Sequence, residues 1–161
     1  RLVGNLPYNI STPLLFHLLE QSDAIEDMHF MLQKEVVDRM AAGPGSKTYG
    51  RLSVMLQISC AVTPLFDIGP ESFDPPPKVD SSVVRLRPRD VPLVGAADVQ
   101  AFGALVTAAF RQRRKTLRNN LKGLLDAGQI SAVGIDPGTR TESLSIQELI
   151  RLQQAVDQGR S

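Results

Sequence analysis

Residues 1–13 read RLVGNLPYNISTP. Leu2-Val3-Gly4 is a short apolar lead of the kind that ends a buried strand, and it runs directly into Asn5-Leu6-Pro7-Tyr8. Proline disfavours helix at the residue before it and fixes its own φ, so the chain must leave the strand in a stiff, extended turn. Ser11-Thr12-Pro13 then supplies an N-cap and a proline at the first helical position. Leu14, Leu15, Leu18 and Leu19 follow on one face of a helix reaching about Gln21. A strand, a rigid turn and a helix within about twenty residues announce an α/β pattern.

The following segments extend it. Met28–Leu32 is a short apolar run of strand length, typical of strands covered on both sheet faces. Lys34–Ala42 reads as a helix with Val36, Val37 and Met40 inward, closed by Gly43-Pro44-Gly45. Residues 51–60 are ambiguous: Leu52, Met55, Leu56 and Ser59 fit a helical stripe while the composition also suits a strand, and a helix to about Ser59 followed by a strand over 61–68 is favoured. Asp74-Pro75-Pro76-Pro77 must be loop, because prolines carry no ladder donors. Residues 82–87 form a last strand, close enough to the preceding one to pair antiparallel. From Pro88 to Ala97 the pattern dissolves into a linker. Beyond it the chain is helical: Asp98 caps a helix burying Phe102, Leu105, Val106, Ala109 and Phe110. A second helix is predicted over 115–125. Ser145-Ile146-Gln147-Glu148 has capping-box spacing for a last helix, with Leu149, Leu152 and Val156 inward. The expected organisation is an α/β domain over 1–90 and a small all-helical domain over 91–161.

The totals fit a water-soluble globular protein: 161 residues, 42% hydrophobic, 22% charged, formal net charge +1. No run is long and apolar enough for a membrane span, so no membrane partner is expected. Cys60 lies in the apolar run ISCAV and reads as a packed thiol, which suits a reducing compartment and a cytoplasmic location. His17 and His29 have no cysteine or carboxylate at ligand spacing, and no metal is expected.

Charge is unevenly distributed. Between Asp98 and Asp126 there is no acidic residue, while Arg111, Arg113, Arg114, Lys115, Arg118 and Lys122 place +6 in that segment. A charge run is ordinarily a solvated helix face. Without compensating acids it is also the footprint of a polyanion site, and RNA is the expected partner.

The tetrapeptide Asn5-Leu6-Pro7-Tyr8 has its own chemistry. A stiff turn can aim the Leu6 carbonyl and the Asn5 side-chain oxygen at one point, where two acceptors suit an NH₂ group. The carboxyl end of a strand in an open α/β sheet is where such folds bind ligands. Tyr8 could lay its ring over a flat heterocycle. Acceptors placed for a tetrahedral nitrogen stabilise the transition state of methylation at an exocyclic adenine amine more than its ground state. The same residues also read as a plain turn with a surface tyrosine.

Asn-Leu-Pro-Tyr resembles the adenine-N6 form of the acceptor motif of S-adenosylmethionine-dependent methyltransferases. With NISTPLLFHLL, MHFMLQKEVVDRM, YGRLSVMLQ, SFDPPPKVDSSVVRL and FRQRRKTLRNNL, the chain resembles the KsgA-type ribosomal RNA adenine dimethyltransferases. The resemblance implies the second half of a Rossmann-like class I methyltransferase sheet followed by a helical C-terminal domain. It also implies dimethylation of N6 on two adjacent adenines in the 3′-terminal hairpin of 16S rRNA, within the small ribosomal subunit. Asn5 would hold the target amine and touch the methionine end of S-adenosylmethionine, with Leu6 giving its carbonyl across the turn made by Pro7. Tyr8 would stack on the flipped adenine, and Phe73 would close on its other face or anchor its loop in the core. Arg113, Arg114, Lys115 and Arg118 would contact RNA. Lys34, Arg51 and Lys78 are further phosphate candidates, surface ion pairing being the alternative for Lys34 and Arg51. An RNA-binding assembly factor without essential catalysis is the competing reading; an Erm-like enzyme is disfavoured by PPPKVDS and QRRKT.

The family's glycine-rich turn and ribose-binding acid are absent from this sequence, which reads as starting at the family's fourth strand. Most of the cofactor pocket is therefore expected upstream. The expectation is a monomeric full-length protein, and a fragment that is inactive, does not bind S-adenosylmethionine and either self-associates through the open edge of residues 1–4 or is disordered there.

Overall fold

The structure is a computed structural model describing residues 1–7 and 9–161; Tyr8 lies outside the described residues. Contacts divide the chain into two units, residues 1–42 with 56–93 and residues 43–55 with 94–161.

The first unit is built on a four-stranded mixed sheet. Its strands are β1 (Leu2–Asn5), β2 (Met28–Gln33), β3 (Cys60–Ile68) and β4 (Ser81–Pro88), in the spatial order β1-β2-β4-β3. β1 and β2 are parallel, and β4 lies antiparallel between β2 and β3. Gln33 and Ile68 both register with Ser81, so the carboxyl ends of β1, β2 and β3 meet at one edge of the sheet. Sequence order explains the arrangement: the run 28–33 and the helices around it require a crossover from β1, whereas the short link 69–80 permits direct antiparallel pairing.

Cross-strand partners share a face. Met28, Phe30, Leu32, Val84 and Leu86 are all buried on one face. On the other, His29, Met31 and Gln33 are only half-buried, so β2 alternates where a doubly covered strand was expected. That second face has polar work at one end and a cavity at the other. Helix α1 (Ser11–Leu19) begins one residue before the expected cap. Its first intrahelical bond runs from the Leu14 N–H to the Ile10 carbonyl, and Pro13 falls in the first turn, where its missing N–H is not needed. Helix α2 (Lys34–Ala41) follows β2 directly. Its terminal carbonyls are satisfied from outside: the Gln57 amide donates to the carbonyls of Met40 and Ala42, each at 2.9 Å. Cys60 is fully buried and donates to the Leu56 carbonyl; burial pushes its thiol up to about 12.

At the amino end of the sheet Asp27 is only 1% exposed. The Arg1 Nε–H donates to its carboxylate at 2.9 Å, and His29 and Arg85 stand within 3.8 Å. The bond from Arg1 holds the carboxyl below the usual carboxylate range, against the opposing effect of burial. A depressed carboxyl stabilises the fold fully above its unfolded pKa, and that stability is lost as pH falls through the folded value. Asp27→Asn is therefore expected to lower the melting temperature at neutral pH and to flatten the acid limb of the stability curve. An unchanged acid limb would show that the ion pair does not couple to folding.

The second unit contains α3 (Arg51–Gln57) through Met55, α4 (Val99–Ala109), α5 (Leu117–Asn120), α6 (Ala127–Ala132) and α7 (Ile146–Gly159). Phe102, Leu105, Val106 and Ala109 are buried along α4, and Leu149, Leu152 and Val156 along α7. The Ser145 hydroxyl accepts from the Glu148 N–H while the Glu148 carboxylate accepts from the Ser145 N–H, the reciprocal pair expected for that spacing. The single helix expected over 115–125 is replaced by the four-residue α5 and a turn. Gly123 adopts φ +94°, where a side chain would be strained, and Asp126 starts α6 with its own capping box to Gln129. Among the described residues, no helix is long and apolar enough to cross a membrane and no cluster of three metal-ligating side chains occurs.

Candidate active site

The carboxyl edge of the first unit's sheet holds a cavity of about 310 Å³. It is lined by Asn5, Leu6 and Pro7 from the end of β1 and the turn after it, by Met31 and Gln33 of β2, and by Phe73 and Pro75 of the loop after β3. Asn5 is the last residue of β1, registers with Met31 and is exposed. The Leu6 N–H donates to the Met31 carbonyl at 3.1 Å, so the Asn5–Leu6 peptide plane is tied to β2. The Pro7 carbonyl accepts from the Ile10 N–H at 3.2 Å and closes the turn into α1. Phe73 is half-buried at the end of a 3-10 turn, Pro70–Ser72, and the Asp74–Pro75 peptide beside it is cis. The lining carries no ionisable side chain among the described residues; its polar groups are the amides of Asn5 and Gln33 and the hydroxyl of Ser81. A mostly apolar pocket with a few neutral polar groups suits a flat, uncharged heterocycle.

In the second unit the basic segment is not a helix. Residues 111–116 form turns between α4 and α5, fixed by the Asn120 amide, which donates to the carbonyls of Ala109 (2.8 Å) and Gln112 (3.0 Å). Arg111, Arg114, Lys115, Arg118 and Lys122 are exposed and make no ion pair among the described residues. Arg113 is engaged: its Nε lies 2.9 Å from Glu142 Oε2, and its two terminal nitrogens donate to the carbonyls of Tyr49 and Ser46.

The ribosomal RNA adenine dimethylase family model matches residues 1–158. The chain belongs to that family. The ribosomal RNA small subunit methyltransferase A of Marinomonas sp. (strain MWYL1) is 58% identical over 156 residues, which span 97% of this chain and 59% of that protein. Its namesake from Xanthomonas campestris pv. campestris (strain B100) is 60% identical over 152 residues, 94% of this chain and 58% of that protein. The chain thus spans a little under three fifths of the length of these relatives. Among solved structures, a dimethyladenosine transferase from Plasmodium falciparum superposes with a TM-score of 0.83 at 26% identity, covering 97% of this chain and 67% of that one. The 23S rRNA methyltransferase ErmE shares the fold with a TM-score of 0.73 at 24% identity, over 96% of this chain and 64% of that one.

In this member of the adenine dimethylase family, Asn5, Leu6, Pro7 and Phe73 line one cavity, while Tyr8 lies outside the described residues. The cations divide by engagement. Lys34 donates to both carboxylate oxygens of Asp38 at 2.9 and 3.0 Å, with Asp67 at 4.0 Å, and the Asp38 bond raises its pKa. Arg51 donates to the Thr107 hydroxyl at 3.0 Å. Lys78 is exposed on the loop that carries Phe73. Sequence reasoning missed Met31, Gln33, Val79 and Ser81 as wall residues. Part of the signal was available: Met31 and Gln33 end the strand that parallel pairing brings beside Asn5, and Ser81 starts the strand that pairs with Gln33.

Proposed function

We propose that the full-length protein dimethylates N6 of two adjacent adenines in the 3′-terminal hairpin of 16S rRNA during small-subunit biogenesis. The observation that carries this reading is the placement of Asn5 at the tip of β1, on the wall of an uncharged cavity faced by Phe73. The names of the relatives and the adenine dimethylase family support it.

The chemistry follows from the residues. The Asn5 side-chain oxygen and the Leu6 carbonyl accept the two N–H bonds of the adenine amine. As that nitrogen turns from planar to tetrahedral, its lone pair leaves the purine ring and becomes nucleophilic. The two acceptors flank the Asn5–Leu6 peptide, which the Leu6 N–H anchors to Met31, and acceptors so placed stabilise this geometry over the planar one. A neutral amide removes no proton; the alkylated nitrogen is acidic enough to lose its own. Phe73 and Tyr8 supply stacking for a base taken out of its helix. S-adenosylmethionine supplies an electrophilic methyl group, and Asn5 touches its methionine end.

The test is transfer of labelled methyl from S-adenosylmethionine to small ribosomal subunits lacking the modification. N6,N6-dimethyladenosine is the expected product in the digested RNA. Product on another base, or none, would overturn the reading.

Arg114, Lys115 and Arg118 supply phosphate contacts that position the RNA without reading its sequence, and Lys78, exposed on the loop that carries Phe73, supplies another. Alanine at all three of the former is expected to reduce the slope of log affinity against log salt by about three and to weaken binding roughly a hundredfold. Salt titration of subunit binding measures both.

A further inference from the structure

We propose that Lys47 is an additional RNA contact, and that Arg113 is the positioning residue that holds it there. The inference rests on reading the second unit's basic segment as an RNA surface.

Lys47 stands in a tight turn. The Ser46 carbonyl accepts from the Tyr49 N–H, and the Ser46 hydroxyl accepts from the Thr48 N–H at 3.1 Å. Lys47 and Thr48 are thereby pushed outward, and both are exposed. Lys47 makes no ion pair among the described residues. The turn is fastened to the basic segment from below. Arg113 donates to the carbonyls at both ends of it, Ser46 and Tyr49, each at 3.2 Å. Glu142 holds the same loop twice. Its carboxylate pairs with Arg113 Nε at 2.9 Å, and its backbone carbonyl accepts from the Gly45 N–H at 2.7 Å.

Two consequences follow. The charge of Arg113 is compensated by Glu142, and its N–H groups point at carbonyls, which makes it a poor phosphate ligand compared with its uncompensated neighbours. The charge offered instead is that of Lys47, on a turn held by Arg113, which precedes Arg114 and Lys115 in sequence and whose planar fork fits two carbonyls and a carboxylate together. A lysine ammonium is a point charge and cannot span that set.

The test uses the full-length protein and unmodified small subunits in a salt titration. Lys47→Ala is expected to weaken binding roughly fivefold and to lower the salt slope by about one. Arg113→Lys keeps the formal charge, so a direct phosphate contact predicts no loss; the clamp predicts the same loss as Lys47→Ala. The double variant is expected to be no weaker than either single one. Faster hydrogen exchange at the Thr48 and Tyr49 amides in Arg113→Lys, with an unchanged melting temperature, reports the loosened turn directly. Unaltered binding by Lys47→Ala, while alanine at Arg114, Lys115 and Arg118 weakens it, would overturn this inference and leave the RNA surface standing. Full additivity of the two substitutions would overturn the positioning role. If the triple alanine variant itself bound normally, the RNA reading and this inference would fall together.

Discussion

Alanine in place of Asn5 is expected to slow methyl transfer by the full-length protein about 10²–10³-fold, the usual loss when one preorganised group aimed at the reacting centre is removed. The side chain is exposed at the end of β1, so stability should move by no more than about 0.5 kcal/mol. Subunit affinity should be unchanged within about twofold, because one neutral contact adds nothing to the salt-dependent phosphate term. Asn5→Asp keeps an acceptor oxygen at the same place and is expected to fall between wild type and alanine. The order of the three proteins is the diagnostic result. An alanine variant turning over within tenfold of wild type would mean that the amine is gripped elsewhere.

The largest expected effect on stability lies at Tyr49. Its side chain is fully buried, its ring meets Phe110 edge-on at 5.8 Å, and its hydroxyl donates to the Leu144 carbonyl at 2.8 Å. Tyr49→Ala removes a ring and leaves a cavity, so the second unit should lose about 3–5 kcal/mol. Tyr49→Phe removes the bond alone and strands a buried carbonyl, for about 1–2 kcal/mol. Urea denaturation separates the two. Burial also pushes the phenol up to about 12, above its ordinary value near 10. The folded protein therefore keeps a proton that the unfolded chain releases. The associated stability is complete below the unfolded value and is lost as pH rises toward the folded one. Tyr49→Phe should abolish that alkaline limb. A Tyr49→Ala variant within 1 kcal/mol of wild type would show that the ring is not part of the core.

Local chemistry was legible in the sequence where a few adjacent residues decide the outcome. Pro7 and the leucines after it mark the turn from β1 into α1, and Ser145 with Glu148 marks the start of α7. The cavity was half legible. Asn5 through Pro7 and the Phe73 loop carry recognisable motifs, whereas Met31 and Gln33 reach the wall only through strand register. The basic segment misled. Leu117, Leu121 and Leu124 have helical spacing, yet Asn120 spends its amide on two distant carbonyls and Gly123 turns the chain away. Helix α6 went unread, although Asp126 and Gln129 have the spacing of a capping box. The bonds of Arg113 were not readable, since no property of residue 113 points to the carbonyls of residues 46 and 49.

The grouping of residues 43–55 with the C-terminal helices means that the polypeptide passes between its two units three times, after Ala42, Met55 and Leu93. The helical body is consequently not a cassette. A gene segment starting at Val94 would encode it without the tyrosine at its centre, and a protease nicking the 88–97 stretch would release a tail still packed around a piece of the parent chain. Any transplant of this helical module onto another enzyme has to carry both lengths of chain.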